Sequence, residues 1–300
     1  MFTFRQSVNL IQSINRYQFL TNCSTNRIKT MSTFLSTDYT IDKYNGVNVD
    51  LDKISISMPQ VTKDSSLFLT HLNGSLKDWS TKGYRAIWFT VKLVHSNLVP
   101  ILIENGFDYH HAKSGYVTLV KWIKEDEPNN IPSYPYTNIG VGGLVINSKD
   151  EILVVKEKYH HGYPFWKFPG GYANQGEGFG ATAEREIFEE TGIKTQFQSV
   201  IALRHSHRFQ FKCSDIYFVC QLKPIDENNM TPVKDLHEIV DVRWIHINEL
   251  LPLLSGFNAF ILEHFLAIRK QKTQLVCKNM ETVIGNVTVY FLENNNQPDS

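Results

Sequence analysis

The sequence has no apolar run approaching the roughly 20 residues of a membrane-spanning helix. It therefore offers no helical span, and no membrane is expected among its partners. Net charge is missing too. Thirty basic and 30 acidic side chains cancel, so no global field steers the chain to nucleic acid or a lipid surface. Cysteine is scarce: Cys23, Cys213, Cys220 and Cys277 are scattered without metal-ligand spacing. Cys220 sits in an apolar stretch as a small buried hydrophobe, and the thiols are expected to be reduced. The first 37 residues contain no Asp or Glu, yet carry Arg5, Arg16, Arg27 and Lys29. Phe2, Phe4, Val8, Leu10, Ile11 and Ile14 can form one face of a short basic amphipathic helix, with no secretory apolar core of adequate length. Residues 1–37 thus read as a transit peptide and the location as mitochondrial, the alternative being a disordered tail, a start at Met31 and a cytoplasmic protein.

The chain does have ample core. Its 300 residues, 42% hydrophobic and 20% charged, are enough for two domains. From 38 to 124 the pattern is mixed α/β. Residues 47–57 look extended. Phe68, Leu72, Leu76 and Trp79 recur at helical spacing, as do Val94, Leu98, Ile101 and Leu102. Residues 85–91 read as a buried strand, and another near Tyr116–Trp122 closes the unit. His110 and His111, adjacent on a strand, should point to opposite faces. Residues 125–135, with three prolines and an acidic run, form a linker. Beyond it, 136–270 shows strands at 139–146, 151–156, 195–203, 215–222 and 240–245. A helix spans 179–191, with two more near 247–254 and 258–270. Residues 271–300 read as a tail with one possible strand at 283–292. This order predicts an α/β/α sandwich around a mixed sheet, preceded by a smaller α/β domain.

Between Gly171 and Ile193 the sequence reads GYANQGEGFGATAEREIFEETGI. Glu186, Glu189 and Glu190, at i, i+3 and i+4, fall within an arc of roughly 100° on one helix face. Three carboxylates so placed repel one another and weaken the helix, whereas a divalent cation accounts for them, because Mg²⁺ takes hard carboxylate oxygens and completes its shell with water and phosphate. Gly192 is the expected left-handed stop. Ala183 and Ile187 pack beside the acidic stripe, Ala181 and Phe188 on its other side. Pro169, Gly170 and Gly171 form a tight turn whose backbone can come close to a metal or phosphate. Arg185 has carboxylates within reach and can orient them through a bidentate pair.

Gly171, Glu177, Arg185-Glu186-Ile187, Glu189-Glu190 and Gly192-Ile193, at these spacings, resemble the complete Nudix box. The seven fixed identities among these nine residues, all but the two isoleucines, arise by chance below roughly 10⁻⁸ per starting position. An isolated acidic helix exposed to solvent explains neither the glycines nor the spacing. Over about residues 84–224 the chain is similar to a branch of animal and plant Nudix proteins whose plant members act on ADP-ribose and NADH. Trp88, Gly106-Phe107, His110-His111-Ala112, Leu119, Trp122, Arg204-His205, His207, Ser214-Asp215 and Tyr217-Phe218-Val219-Cys220 carry that likeness. The resemblance implies an acetyltransferase-like (GNAT-like) first domain without evident acetyltransfer chemistry, and a homodimer is common in the family. It also implies Mg²⁺ or Mn²⁺ held by Glu186, Glu189, Glu190 and the Gly170 carbonyl. Glu177 and Arg185 would pair to aim the ligands, and Glu186 or Glu238 would act as general base.

The implied reaction is hydrolysis of a small nucleoside-diphosphate-linked compound, with ADP-ribose or NADH favoured. Tyr163, Phe165, Trp166, Phe209 and Phe211 are candidates to stack on a base, each also explained by ordinary packing. His205 and His207 share a strand face and can meet a phosphate or ribose, while His160-His161 precedes Gly162 in a loop. The downstream proline of dedicated ADP-ribose enzymes is absent from 208–211. One rival is a regulatory, partner-binding protein with weak Nudix activity. Coenzyme A or RNA-cap hydrolysis is another, but 137–270 has no clustered Lys/Arg run for nucleic acid.

Overall fold

The structure is a computed structural model describing residues 32–159, 162, 165–254, 256–269, 273–282 and 285–294. The chain divides into two units, 1–134 and 135–300. Most of the expected leader, residues 1–31, lies outside the described residues, as do His160, His161 and Tyr163.

The first unit is a five-stranded sheet of β1 (Tyr39–Ile41), β2 (Val47–Asp50), β3 (Ala86–Lys92), β4 (Asp108–Lys113) and β5 (Tyr116–Trp122), ordered β1-β2-β3-β5-β4. Only the β2–β3 pairing is parallel. Helices α1 (Leu51–Ser57), α2 (Ser65–Thr81) and α3 (Val99–Glu104) accompany it. Phe68, Trp79, Phe89 and Phe107 anchor the core. The expected extension over 47–57 stops at Asp50, whose carboxylate accepts from the Asp52 and Lys53 N–H groups and caps α1. His110 and His111 also depart from the simple strand rule. A bulge between Tyr109 and His111 brings their Nδ1 atoms to 2.8 Å, and the His111 ring stacks on Tyr134 at 4.7 Å. The linker forms no helix or strand, as its prolines require, but it is tied down. Arg85 pairs with Glu127 at 2.7 Å, and the Trp122 indole N–H donates to the Glu127 carbonyl at 3.1 Å.

Phe34, inside the stretch read as leader, is only 4% exposed, and its N–H donates to Ser75 Oγ at 2.8 Å. It packs on Phe68, Trp79 and Phe89. Phe34→Ala should cost about 3 kcal/mol in denaturant titrations, as a buried aromatic ring is lost from the core.

The second unit holds a six-stranded mixed sheet of β6 (Thr137–Val145), β8 (Gly170–Tyr172), β9 (Thr195–Ser206), β10 (Ser214–Pro224), β12 (Thr273–Thr282) and β13 (Gly285–Asn294), ordered β13-β12-β9-β10-β6-β8. β6 and β10 run parallel. β7 (Glu151–Glu157) and β11 (Ile239–His246) form a separate antiparallel pair. Helices α4 (Phe179–Thr191), α5 (Ile247–Leu250) and α6 (Gly256–Ile268) complete it. Period-2 alternation gives the sheet and the β7–β11 pair two apolar faces. Val141, Val145, Leu153, Cys220 and Leu222 meet Ala183 and Ile187 of α4, while Leu144, Ile152, Val154 and Val219 meet Ile261, Leu262 and Phe265 of α6. Helices therefore cover both faces, the expected α/β/α sandwich. Residues 271–300 depart from the single strand expected there: β12 and β13 make a hairpin that joins the sheet beside β9, with Leu275 opposite Val200. Residues 277–281 are exposed and lack apolar alternation, which hides β12 in the sequence. Tyr290 of this hairpin stacks on Phe179 at the start of α4, 4.9 Å between centroids.

Candidate active site

Local rules set α4. Gly178 caps its start in extended conformation, and Gly192 ends it at φ 71°, its N–H donating to the Phe188 carbonyl at 2.8 Å. Ile187 packs where β6 has Gly143, and a methyl group there would lie 2.3 Å from Ile187 Cδ1. This close fit fixes the helix rotation and brings the glutamates to β8. The expected tight turn at 169–171 is in part the strand β8, paired antiparallel with β6. Gly170 has φ 152°, and a methyl on it would lie 2.2 Å from the Val141 carbonyl oxygen. Only glycine lets the main chain pass there.

Glu190 is the deepest of the three glutamates, 5% exposed, with Oε2 accepting from the Gly170 N–H at 3.0 Å. Burial pushes its carboxyl up to about 7; Lys167 opposes the rise, while Glu157 and Glu186 add to it. Lys167 is itself ion-paired with Glu157. The Glu186 carboxylate lies against Gly171, where a methyl group would sit 2.5 Å from Oε2. Burial raises its pKa as well, and Arg185 works against that. Glu189 is the most open, its side chain 56% exposed.

Arg185 organises the group. Its Nε and Nη2 donate to the two Glu177 oxygens at 2.8 Å each. Nη1 donates to Glu186 at 2.7 Å and to Glu189 at 2.9 Å, and Nη2 reaches the Tyr172 carbonyl at 3.0 Å. The two-point contact holds the Glu177 carboxyl down at about 2. The expected repulsion among the glutamates is thus partly relieved from within. Glu186 and Glu189 turn to Arg185, and among the described residues no three His, Cys, Asp or Glu side chains converge as a ready ligand set.

The donors nonetheless fit a hard divalent cation. Three carboxylates share one guanidinium, leaving surplus negative charge, and the carboxyl of Glu190 is buried beside them with the Gly170 N–H as its hydrogen-bond donor. Added positive charge would favour its ionised form.

Other candidates fare differently. Trp166 is buried in the core, with Lys156 Nζ 4.4 Å and Arg243 Cζ 5.6 Å from its ring centroid. His205 is exposed, and its ring lies 4.3 Å from that of His207. Phe209 stays open at the β9–β10 turn, its N–H bonded to the Cys213 carbonyl at 2.9 Å. Glu238 is exposed. Its carbonyl accepts from the Lys158 N–H at 2.7 Å, and no described hydrogen bond joins its carboxylate to α4. Cys220 is fully buried, with its thiol pushed up to about 12 by burial. Sequence reasoning missed Glu157 and Lys167, which flank Glu190. It also missed Tyr217, whose ring lies over Gly140 and Gly142. Gly140, Gly142 and Gly143, clustered inside a strand, were the available signal.

Both units of the chain resemble known proteins. Residues 38–123 match a family model described as Nudix hydrolase domain, and residues 137–265 one described as NUDIX domain. Nudix hydrolase 8 of Arabidopsis thaliana is 40% identical over 223 residues, covering 73% of this chain and 58% of the relative. Nucleoside diphosphate-linked moiety X motif 6 of Homo sapiens is 32% identical over 212 residues, covering 70% and 65%. The chain thus spans less than two thirds of these relatives' own lengths. With the box intact and placed as described, the chain belongs to the Nudix hydrolase family.

Proposed function

We propose that this chain hydrolyses a small nucleoside-diphosphate-linked compound, ADP-ribose or NADH for preference, with Mg²⁺ or Mn²⁺ as cofactor. The observation that carries this reading is the Arg185-centred cluster, with Glu190 buried on the Gly170 N–H. Glu186, Glu189 and Glu190, with the Gly170 main chain, would hold the cation. When bound, it supplies Lewis-acid neutralisation of the diphosphate and makes water a better nucleophile. Arg185 and Glu177 keep the carboxylates aimed, so that little reorganisation is needed as charge develops. Of the two candidates for proton acceptor, Glu186 is favoured over Glu238, because Glu186 is partly desolvated beside Gly171 while Glu238 is exposed.

The likeness to a relative named for nucleoside-diphosphate-linked substrates supports the substrate class. The test is phosphate-ester product formation from ADP-ribose, NADH, NADPH and coenzyme A, with Mg²⁺ or with chelator. Cation-dependent turnover of at least one compound is expected, with Glu189→Gln lowering kcat about 10²-fold. Absence of turnover on all four by folded protein, or a Glu189→Gln variant as active as wild type, contradicts the reading.

A further inference from the structure

We propose that Arg204 binds a phosphate oxygen of the substrate, from the sheet face opposite α4 and across the edge strand β8 that carries Gly170. The inference rests on the diphosphate-hydrolase reading of that cluster and adds a substrate contact to it.

Four strands are in register across one row. Tyr172 of β8 lies opposite Gly140 of β6, Gly140 opposite Tyr217 of β10, and Tyr217 opposite Arg204 of β9. Residues opposite one another project from the same face, so Tyr217 and Arg204 are neighbours and only glycine separates Tyr217 from β8. A methyl group on Gly142 would lie 2.1 Å from the Tyr217 hydroxyl oxygen, and one on Gly140 2.8 Å from its ring. Tyr217 therefore lies over β6 toward the strand that carries Gly170, and the charges of Glu190 and Glu157 act on its phenol. Tyr217 and Arg204 thus share the face opposite α4, and the strand common to them and the cluster is β8, whose Gly170 N–H holds Glu190.

Arg204 is held in place. Its Cζ is 5.2 Å from the Tyr217 ring centroid and 5.2 Å from that of Phe257, and Nη2 donates at 2.9 Å to Asp215, a carboxylate only 2% exposed. Yet Nε is buried without a protein partner, while the side chain as a whole is 37% exposed. Buried donors are normally satisfied. A guanidinium fixed on two aromatic rings and a buried acid, with donors left over, is suited to an arriving phosphate. His205, the next residue along β9, projects from the opposite face, which makes Arg204 the member of the Arg204-His205 pair that can serve this surface.

The test compares wild type, Arg204→Lys and the double variant Arg204→Gln/Asp215→Asn. The double variant removes both charges, so that neither is left buried alone, and thermal melting reports whether it folds. KM and kcat are measured for ADP-ribose and NADH, and ADP-ribose binding without divalent cation is measured by calorimetry. In both variants KM should rise about 10- to 100-fold with kcat within about threefold, and cation-free affinity should fall in parallel. KM and affinity within about twofold of wild type, or a loss confined to kcat, overturns the assignment. The binding measurement separates the two readings. Wild type that binds ADP-ribose through Arg204 without turning over any substrate sinks the hydrolase reading alone, and folded wild type that binds no ADP-ribose overturns the role of Arg204.

Discussion

Glu190→Gln should lower turnover by about 10³-fold and, with divalent cations chelated, raise the melting temperature at pH 8. Both effects have one cause. Glu190 is buried, and its carboxyl is pushed from 4.5 up to about 7. A raised carboxyl favours the folded state while protonated. That stability is fully present below pH 4.5 and is lost as pH rises through 7, at a cost of about 3 kcal/mol once the group is ionised. Glutamine carries no charge to bury, and its side-chain oxygen can still accept from the Gly170 N–H. The melting-temperature gap between variant and wild type should therefore be near zero at pH 4.5 and on the order of 5 °C at pH 8. Saturating Mg²⁺ should reverse the order, since only wild type would then gain from the cation. Calorimetric melting across pH 4.5–8, with and without chelator, reads all of this. A variant no more stable than wild type at pH 8 would remove the buried-anion argument.

Arg185→Ala should be the other severe substitution, for a different reason. One guanidinium serves Glu177, Glu186, Glu189 and the Tyr172 carbonyl, so its loss frees three carboxylates together. Turnover should fall about 10- to 100-fold or more, the usual cost of removing a partner that orients ligands. Arg185→Lys should recover little of it, because an ammonium cannot make the two-point contact to Glu177. Acid sensitivity should change as well. Glu177 is held down at about 2 from 4.5, so its pairing stabilises wild type fully above pH 4.5, and that contribution is lost as pH falls toward 2. In Arg185→Ala this part of the acid transition should vanish, which denaturant midpoints between pH 2.5 and 5 would detect. Full activity in Arg185→Ala would mean that the glutamates orient themselves.

Much of this site was readable in the sequence because its information is local. The i, i+3, i+4 glutamates, the Gly192 stop and the reach of Arg185 all follow from helix geometry, and the helix spans the predicted residues. The strands of both sheets were legible wherever side chains alternate. What escaped depends on contacts far apart in the chain. Lys167 pairs with Glu157 of β7, Tyr217 lies on Gly140 and Gly142 of another strand, and Arg204 meets Asp215 across the β9–β10 pairing. Trp166 shows the converse. An aromatic near the box reads as a base platform in the sequence, and its burial beside Lys156 and Arg243 depends on contacts the sequence does not display. The His110–His111 contact escaped because a bulge overrides strand alternation, and β12 because its outward residues are polar.

The most direct test is a calorimetric titration of Mn²⁺ into the metal-free full chain, wild type beside the Glu186→Gln/Glu190→Gln double variant. Saturable binding by wild type, abolished in a folded double variant, is the expected result. Equal binding by both proteins would place the cation elsewhere and remove the glutamate cluster as the seat of the chemistry.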